Sequence, residues 1–188
     1  MNDLDEKAVI DATCRWVSNV VIGLNLCPFA RRVFDAGRVR YTVSTASDEI
    51  TLLNDLGDEL RNLIATPRED VETTLLIHPQ ALLTFLDYND FLPEVDRLVR
   101  EFGLEGVIQV ASFHPDYQFA GTAPDAVENY TNRSPYPMLH LLREESITEV
   151  AGDQDALAAI PLRNILTLRG LGRAEMMARL QAVTGPAN

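Results

Sequence analysis

The sequence predicts an α/β protein built on a small, at least partly parallel sheet of three or four strands. Helices flank the sheet, and the C-terminal region is helical. Two observations carry this. From residue 4 to about 115, segments with helical periodicity alternate with short β-rich runs, the pattern of strands joined by crossover helices. The chain has 188 residues, 46% of them apolar, enough for one core, and no Gly-, Pro- or Ser-rich linker divides it. One domain over residues 1–188 is expected. A ferredoxin-like α+β arrangement is the alternative, because three strands stand out and a fourth can be hidden.

The elements follow in order. Ile10, Cys14, Val17, Val21 and Leu24 recur at helical spacing and predict a helix over 4–24, with Cys14 on its apolar stripe. In GLNLCPFARRVF, Pro28 suits the first position of a short helix, which sets Cys27 at or beside the N-cap. A helix N-terminus there stabilises a thiolate. RVRYTVST, residues 38–45, alternates as a half-buried strand. Ser47 or Asp48 then caps a helix to about residue 65. ETTLLIHP, residues 72–79, reads as a buried strand, and a helix or helix pair covers 80–102, broken near Asn89–Pro93 and ended by Gly103. GVIQVASFHP, residues 106–115, is the third strand. Pro137 is expected to open a helix to about Val150, with further helices over 154–184.

Charge and cysteine count narrow the function. Sixteen Lys and Arg against 28 Asp and Glu give a net charge of −12, which disfavours a broad phosphate-backbone surface. No apolar run reaches bilayer length, and the acidic start lacks a signal-peptide pattern, so a cytoplasmic protein with no membrane partner is expected. Two cysteines, Cys14 and Cys27, make no disulfide framework.

The stretch from 111 to 140, ASFHPDYQFAGTAPDAVENYTNRSPYPMLH, carries most of the chemistry-bearing residues. Its aromatic content argues for an ordered site loop rather than disorder. His78 and His114 each precede a proline just past a predicted strand. Parallel strands place those ends on the rim where open α/β sheets bind ligands. Cys27 is a candidate nucleophile if an imidazole reaches it. Cys-Pro-Phe resembles the opening of a thioredoxin-type motif, but Ala30 stands where the second cysteine belongs. Asp116 is a candidate to orient an imidazole. Tyr117, Asn129, Asn132, Arg133, Tyr136 and His140 are candidates to hold an anionic substrate, Arg133 through its forked guanidinium. No metal or cofactor is predicted at first rank. The alternative is zinc or iron on His78, His114, His140 and Asp116, with Cys27 as a further ligand, although no local metal spacing is present. ILTLRGLGRAEMMARL, residues 165–180, is similar to a helix-hairpin-helix, with Arg169, Arg173 and Arg179 as candidate phosphate contacts.

Taken together, LNLCPFA (24–30), LLIHP (75–79), VIQVASFHPDYQFAG (107–121) and ENYTNRSPYPMLHLLRE (128–144) resemble a bacterial family of uncharacterised proteins, the domain of unknown function family 1415. The resemblance covers essentially the whole chain and implies a single-domain bacterial protein. It brings no activity, cofactor or catalytic residue with it.

The residues point first to a small cytoplasmic enzyme acting on an anionic small molecule. Cys27 would be its thiol and His78 or His114 its base, in a hydrolase or a thiol-dependent transferase or redox enzyme. A metal-dependent hydrolase or oxygenase is the second expectation. The third is a binding or adaptor module using the C-terminal hairpin, with nucleic acid an unfavoured partner. A homo-oligomer is compatible with all three.

Overall fold

Four strands form one mixed sheet in the order β1-β2-β4-β3: β1 (Val39–Val43), β2 (Thr73–Ile77), β3 (Ile108–Phe113) and β4 (Met138–Arg143). The computed structural model describes residues 5–151 and 154–185. β1 and β2 are parallel neighbours, while β4 runs antiparallel to both β2 and β3. β1, β2 and β3 therefore point the same way and end on one rim, so the sheet is partly parallel. The chain order is β-α-β-α-β-β, which differs from the β-α-β-β-α-β of the ferredoxin-like alternative.

The expected helix from Pro137 is instead β4 followed by α5 (Glu144–Ala151). Met138, Leu141 and Leu142 sit at spacings that also suit a helix face. However, β4 is hydrogen-bonded on both edges, with Met138, Leu139 and Leu141 fully buried. A central strand buried on both faces reads as a continuous apolar run, which periodicity alone does not separate from a buried helix.

α3 (Glu49–Ala65) and α4 (Phe85–Glu101) cover one face of the sheet. Asp48 caps α3, its carboxylate accepting the Thr51 N–H at 2.9 Å. α4 continues unbroken through Pro93. That residue and Asn89 are exposed, so the carbonyl that proline leaves unbonded is open to water. Gly103 ends the helix at φ +67°, a left-handed conformation that suits glycine.

The other face packs against α1 (Glu6–Trp16), its wider π-helical continuation Val17–Ile22, α2 (Ala30–Asp35), and the hairpin of α6 (Gln154–Leu171) and α7 (Arg173–Thr184). The change of pitch at Val17 breaks the single helix expected over 4–24. The buried stripe is Val9, Ala12, Thr13, Trp16 and Val20, and Cys14 is only half-buried beside it. In the hairpin, Leu168, Met176 and Val183 are buried. Its arginines meet carboxylates: Arg169 with Glu128 at 3.0 Å, Arg179 with Glu175 at 2.7 Å, and Arg173 with Asp125 at 3.8 Å. Among the described residues no helix is long and apolar enough to cross a membrane.

Candidate functional site

The carboxyl rim of the parallel strands brings His78 and His114 together, as the sequence suggests. Both are fully buried, and their rings flank Tyr88 at centroid distances of 5.8 and 5.2 Å. Their nitrogens are spent on the backbone. His78 Nδ1–H donates to the Ala81 carbonyl at 3.0 Å, and His114 Nε2–H donates to the Leu82 carbonyl at 3.2 Å. His114 Nδ1 accepts the Asp116 N–H at 3.0 Å. The two rings thus hold successive carbonyls of one turn, in which Leu82 adopts φ +54°, a conformation that costs a leucine energy. Tyr88 completes the staple: its hydroxyl donates to Met138 O at 2.9 Å and accepts the Phe113 N–H at 3.0 Å. Burial pushes the His78 pKa down to about 4 and lowers that of His114, so both rings are neutral at pH 7. Only His78 Nε2 is left buried without a partner.

The loop after β3 is similarly self-contained. Asn129 Oδ1 accepts from the Phe119 N–H at 3.1 Å and the Thr122 hydroxyl at 2.8 Å, while Nδ2 donates to Ala123 O at 2.9 Å. Asn132 Nδ2 donates to Ser112 O at 3.0 Å. Arg133 donates from Nε to Tyr117 O at 3.2 Å and from Nη2 to Pro124 O at 2.7 Å, with its guanidinium 4.6 Å from the Tyr130 ring centroid. The Tyr117 ring packs on Phe85 and Phe119, each at 5.0 Å, and Tyr136 O accepts from the Ser134 hydroxyl at 2.7 Å. The Asp116 side chain is exposed and orients no imidazole; its backbone N–H does that work. These groups build the loop.

His140 lies on the opposite face of the sheet, level with Leu75 and Ala111. The metal set of His78, His114, His140 and Asp116 therefore does not converge. Among the described residues no three His, Cys, Asp or Glu side chains gather closely enough to hold an ion.

Around His140 the sheet face and α1–α2 enclose a cavity of about 290 Å³. Trp16, Val17, Val39, Leu75, Phe113 and Ile147 are part of its apolar wall, and Cys27 and His140 both line it. Neither His78 nor His114 reaches this space, so the imidazole that shares a site with Cys27 is His140. Its tautomer follows from counting hydrogens. Thr73 Oγ1 has one hydrogen and gives it to Leu141 O at 2.6 Å. The 2.7 Å contact between that oxygen and His140 Nε2 therefore needs the hydrogen on Nε2. Nδ1 is left as a bare acceptor with no hydrogen bond among the described residues. Burial pushes the His140 pKa down to about 4, which keeps Nδ1 unprotonated at neutral pH.

Cys27 is placed by the C-terminal hairpin. Asn164 Nδ2 donates to Leu26 O and Arg163 Nη2 to Asn25 O, both at 2.8 Å, fixing a turn in which Asn25 has φ +53°. α2 starts at Ala30 with Phe29 as its N-cap, so Cys27 lies two residues ahead of the cap and Pro28 is outside the helix. The expected thiolate stabilisation does not dominate. Burial raises the thiol's pKa, only partly opposed by hydrogen bonds from the Phe29 and Ala30 backbone.

The cavity, the rim and most of the hairpin all fall within residues 8–178, which match the family described as "Protein of unknown function (DUF1415)". The chain belongs to the DUF1415 family. No curated protein and no solved structure matches it.

In this DUF1415 chain, sequence reasoning missed the residues that build the cavity. Thr73 sets the His140 tautomer, Asn164 and Arg163 hold the Cys27 turn, and Trp16 forms the wall. Trp16 is the only tryptophan in the chain, a rarity that could have drawn attention. The others carry no signal until the register of β2 with β4 and the docking of α6 are known.

Proposed function

We propose that this protein is a small-molecule enzyme whose substrate lies in the cavity between the sheet and α1–α2, with Cys27 as nucleophile and His140 as base. The observation that carries the reading is that His140, with its Nδ1 bare, lines the same largely apolar space as a free thiol. Pockets of this kind, mostly apolar with a few polar groups of perturbed pKa, are where ligands and chemistry concentrate. No hydrogen bond joins Sγ to the ring, so proton transfer belongs to the occupied cavity. The reaction class that fits is acyl transfer. The Sγ–H bond breaks and its proton passes to Nδ1 as sulfur bonds the acyl carbon. The leaving group departs with the proton returned by the imidazolium, and water then cleaves the thioester. Neutral thiol and neutral imidazole are the resting forms, and the charged pair appears only when both charges form together inside the cavity.

The test uses Cys14→Ser protein and p-nitrophenyl butyrate. Intact-mass analysis is expected to find one butyryl group on Cys27, formed roughly 10²-fold more slowly in His140→Gln. An unmodified Cys27, or equal acylation with and without the imidazole, overturns the assignment.

A further inference from the structure

One end of the cavity is built for negative charge. Glu72 ends the turn before β2, and its carboxylate is almost fully buried beside three arginines: Arg32 at 2.9 Å, Arg38 at 3.0 Å and Arg68 at 3.2 Å. Arg143 stands next to it across the sheet, because Thr73 pairs with Leu142. The Arg143 Nη2 group is bonded only to the carbonyls of Leu63, Thr66 and Val71. The second carboxylate at this end is Glu149, 2.7 Å from Arg68. Among the described residues, three guanidiniums thus pair with two carboxylates and Arg143 stands by them without an ion pair, in a chain whose net charge is −12.

Hydrogen bonding at this end is likewise incomplete, mostly on the donor side. Arg38 Nε, Arg143 Nε and Ser146 Oγ are buried without a partner, and Glu72 Oε2, in ion contact with Arg38, makes no hydrogen bond. Unmade buried hydrogen bonds are costly, and native proteins keep few of them. Two of these donors, Arg143 Nε and Ser146 Oγ, belong to residues that line the cavity, and they mark a place where an acceptor belongs. Arg32, Glu72, Arg143 and Ser146 line the cavity itself. The Arg32 side chain is half-exposed, so it reaches both the mouth and solvent.

We infer that the cavity takes an amphipathic small anion, its apolar body against Trp16, Leu75 and Phe113 and its charged head at Arg32 and Arg143. This deepens the reading of the cavity as a substrate site and rests on it. Arg32 is a binding residue in this scheme. It takes the role the sequence gave to Arg133, whose donors are already used within the loop. The head is carboxylate or phosphate, since a guanidinium fork binds either.

Trp16, the chain's single tryptophan, lines the cavity and reports occupancy by its fluorescence. The probes are 3-phenylpropionate, phenyl phosphate and the uncharged 3-phenyl-1-propanol, titrated into wild-type protein, Arg32→Gln, Ser146→Ala and Cys27→Ala. Wild-type protein is expected to bind at least one anion about tenfold more tightly than the alcohol. That preference should disappear in Arg32→Gln and shrink in Ser146→Ala. Glu72 keeps Arg38 and Arg68 in Arg32→Gln, and circular dichroism checks that the variant is folded. Equal binding of anions and alcohol overturns the inference while leaving the thiol site standing, and binding of none of the three overturns it with the cavity reading. Retained anion preference in Cys27→Ala supports the anion end even if no acyl group ever forms on Cys27.

Discussion

His78 and His114 on one side of the sheet are fully buried and His140 on the other is partly buried, and folding leaves them differently equipped. At the rim, His114 spends both nitrogens on backbone groups, and the one unpaired nitrogen, His78 Nε2, is buried in a residue that does not line the cavity around His140. On the other face, a threonine takes one nitrogen of His140 and leaves the second without a hydrogen bond, in a residue that lines the same cavity as Cys27. A histidine's reactivity is therefore decided by what its neighbours have already claimed. Burial lowers the pKa at all three, so it does not separate them.

The contrast breaks most directly at His114. His114→Ala removes a fully buried ring, empties the space beside Tyr88 and Phe85, and releases the Leu82 carbonyl in its strained turn. A loss of about 3–4 kcal/mol of stability is expected from the cavity and the lost hydrogen bonds, read as a lowered urea midpoint. Acylation of Cys27 in the folded variant should be unchanged. If acylation stops while the fold survives, the rim belongs to the active site and the division between the two faces is wrong.

The pH dependence of stability is next in size. Unfolded histidines take up a proton near 6.5, whereas folded His78 and His140 do so only near 4. Between those values the unfolded chain binds more protons, so stability falls as pH drops from about 6.5 to about 4. Each ring contributes up to about 3 kcal/mol of that fall. Urea midpoints at pH 7.5 and 4.5 should lie closer together in His78→Gln, and likewise in His140→Gln, than in the wild type. An unchanged interval in either variant shows that its ring is not kept neutral by the fold.

Much of the fold was legible because its signals are local. Asp48 and Gly103 end helices where their side-chain and backbone chemistry requires, and β1, β2 and β3 carry β-rich runs bounded by turns. β4 was hidden because its Met- and Leu-rich run lacks alternation and also fits a helix face, whereas β2, equally central, carries β-favouring Thr and Ile. The candidate site was legible only in part. Cys27 and His140 were both visible as chemistry, but no sequence pattern pairs residues so distant in the chain. That both line one cavity depends on the β2–β4 register and on Asn164 docking onto Leu26. The loop misled for a different reason. Asn129, Asn132 and Arg133 have the groups that bind ligands, and the same groups are what a long irregular backbone needs to satisfy its own carbonyls and N–H groups.

Arg133 and Arg32 sharpen the comparison at smaller cost. Arg133→Gln forfeits two hydrogen bonds to loop carbonyls and the stack on Tyr130, an expected loss of about 1–2 kcal/mol. Quenching of Trp16 by 3-phenylpropionate should stay at the wild-type level. Arg32→Gln should do the reverse, leaving the urea midpoint almost unmoved and removing the anion preference. If Arg133→Gln lowers anion affinity instead, the loop holds the head group and the arginines around Glu72 are a structural lattice.

Cys27→Ala is expected to disturb stability least. The sulfur borders a cavity, so its removal enlarges an existing space rather than opening a new one in packed core. It donates no hydrogen bond that another group depends on, and the turn around it is held by Asn164 and Arg163 through the backbone of Leu26 and Asn25. A change below about 1 kcal/mol follows, too small to obscure the chemical readout. Butyryl transfer should vanish in this variant. A folded Cys27→Ala protein that still turns over p-nitrophenyl butyrate would place the nucleophile elsewhere. His140 would then remain as a base acting on water in the same cavity, and His140→Gln would have to abolish that residual activity for the cavity to stay the site.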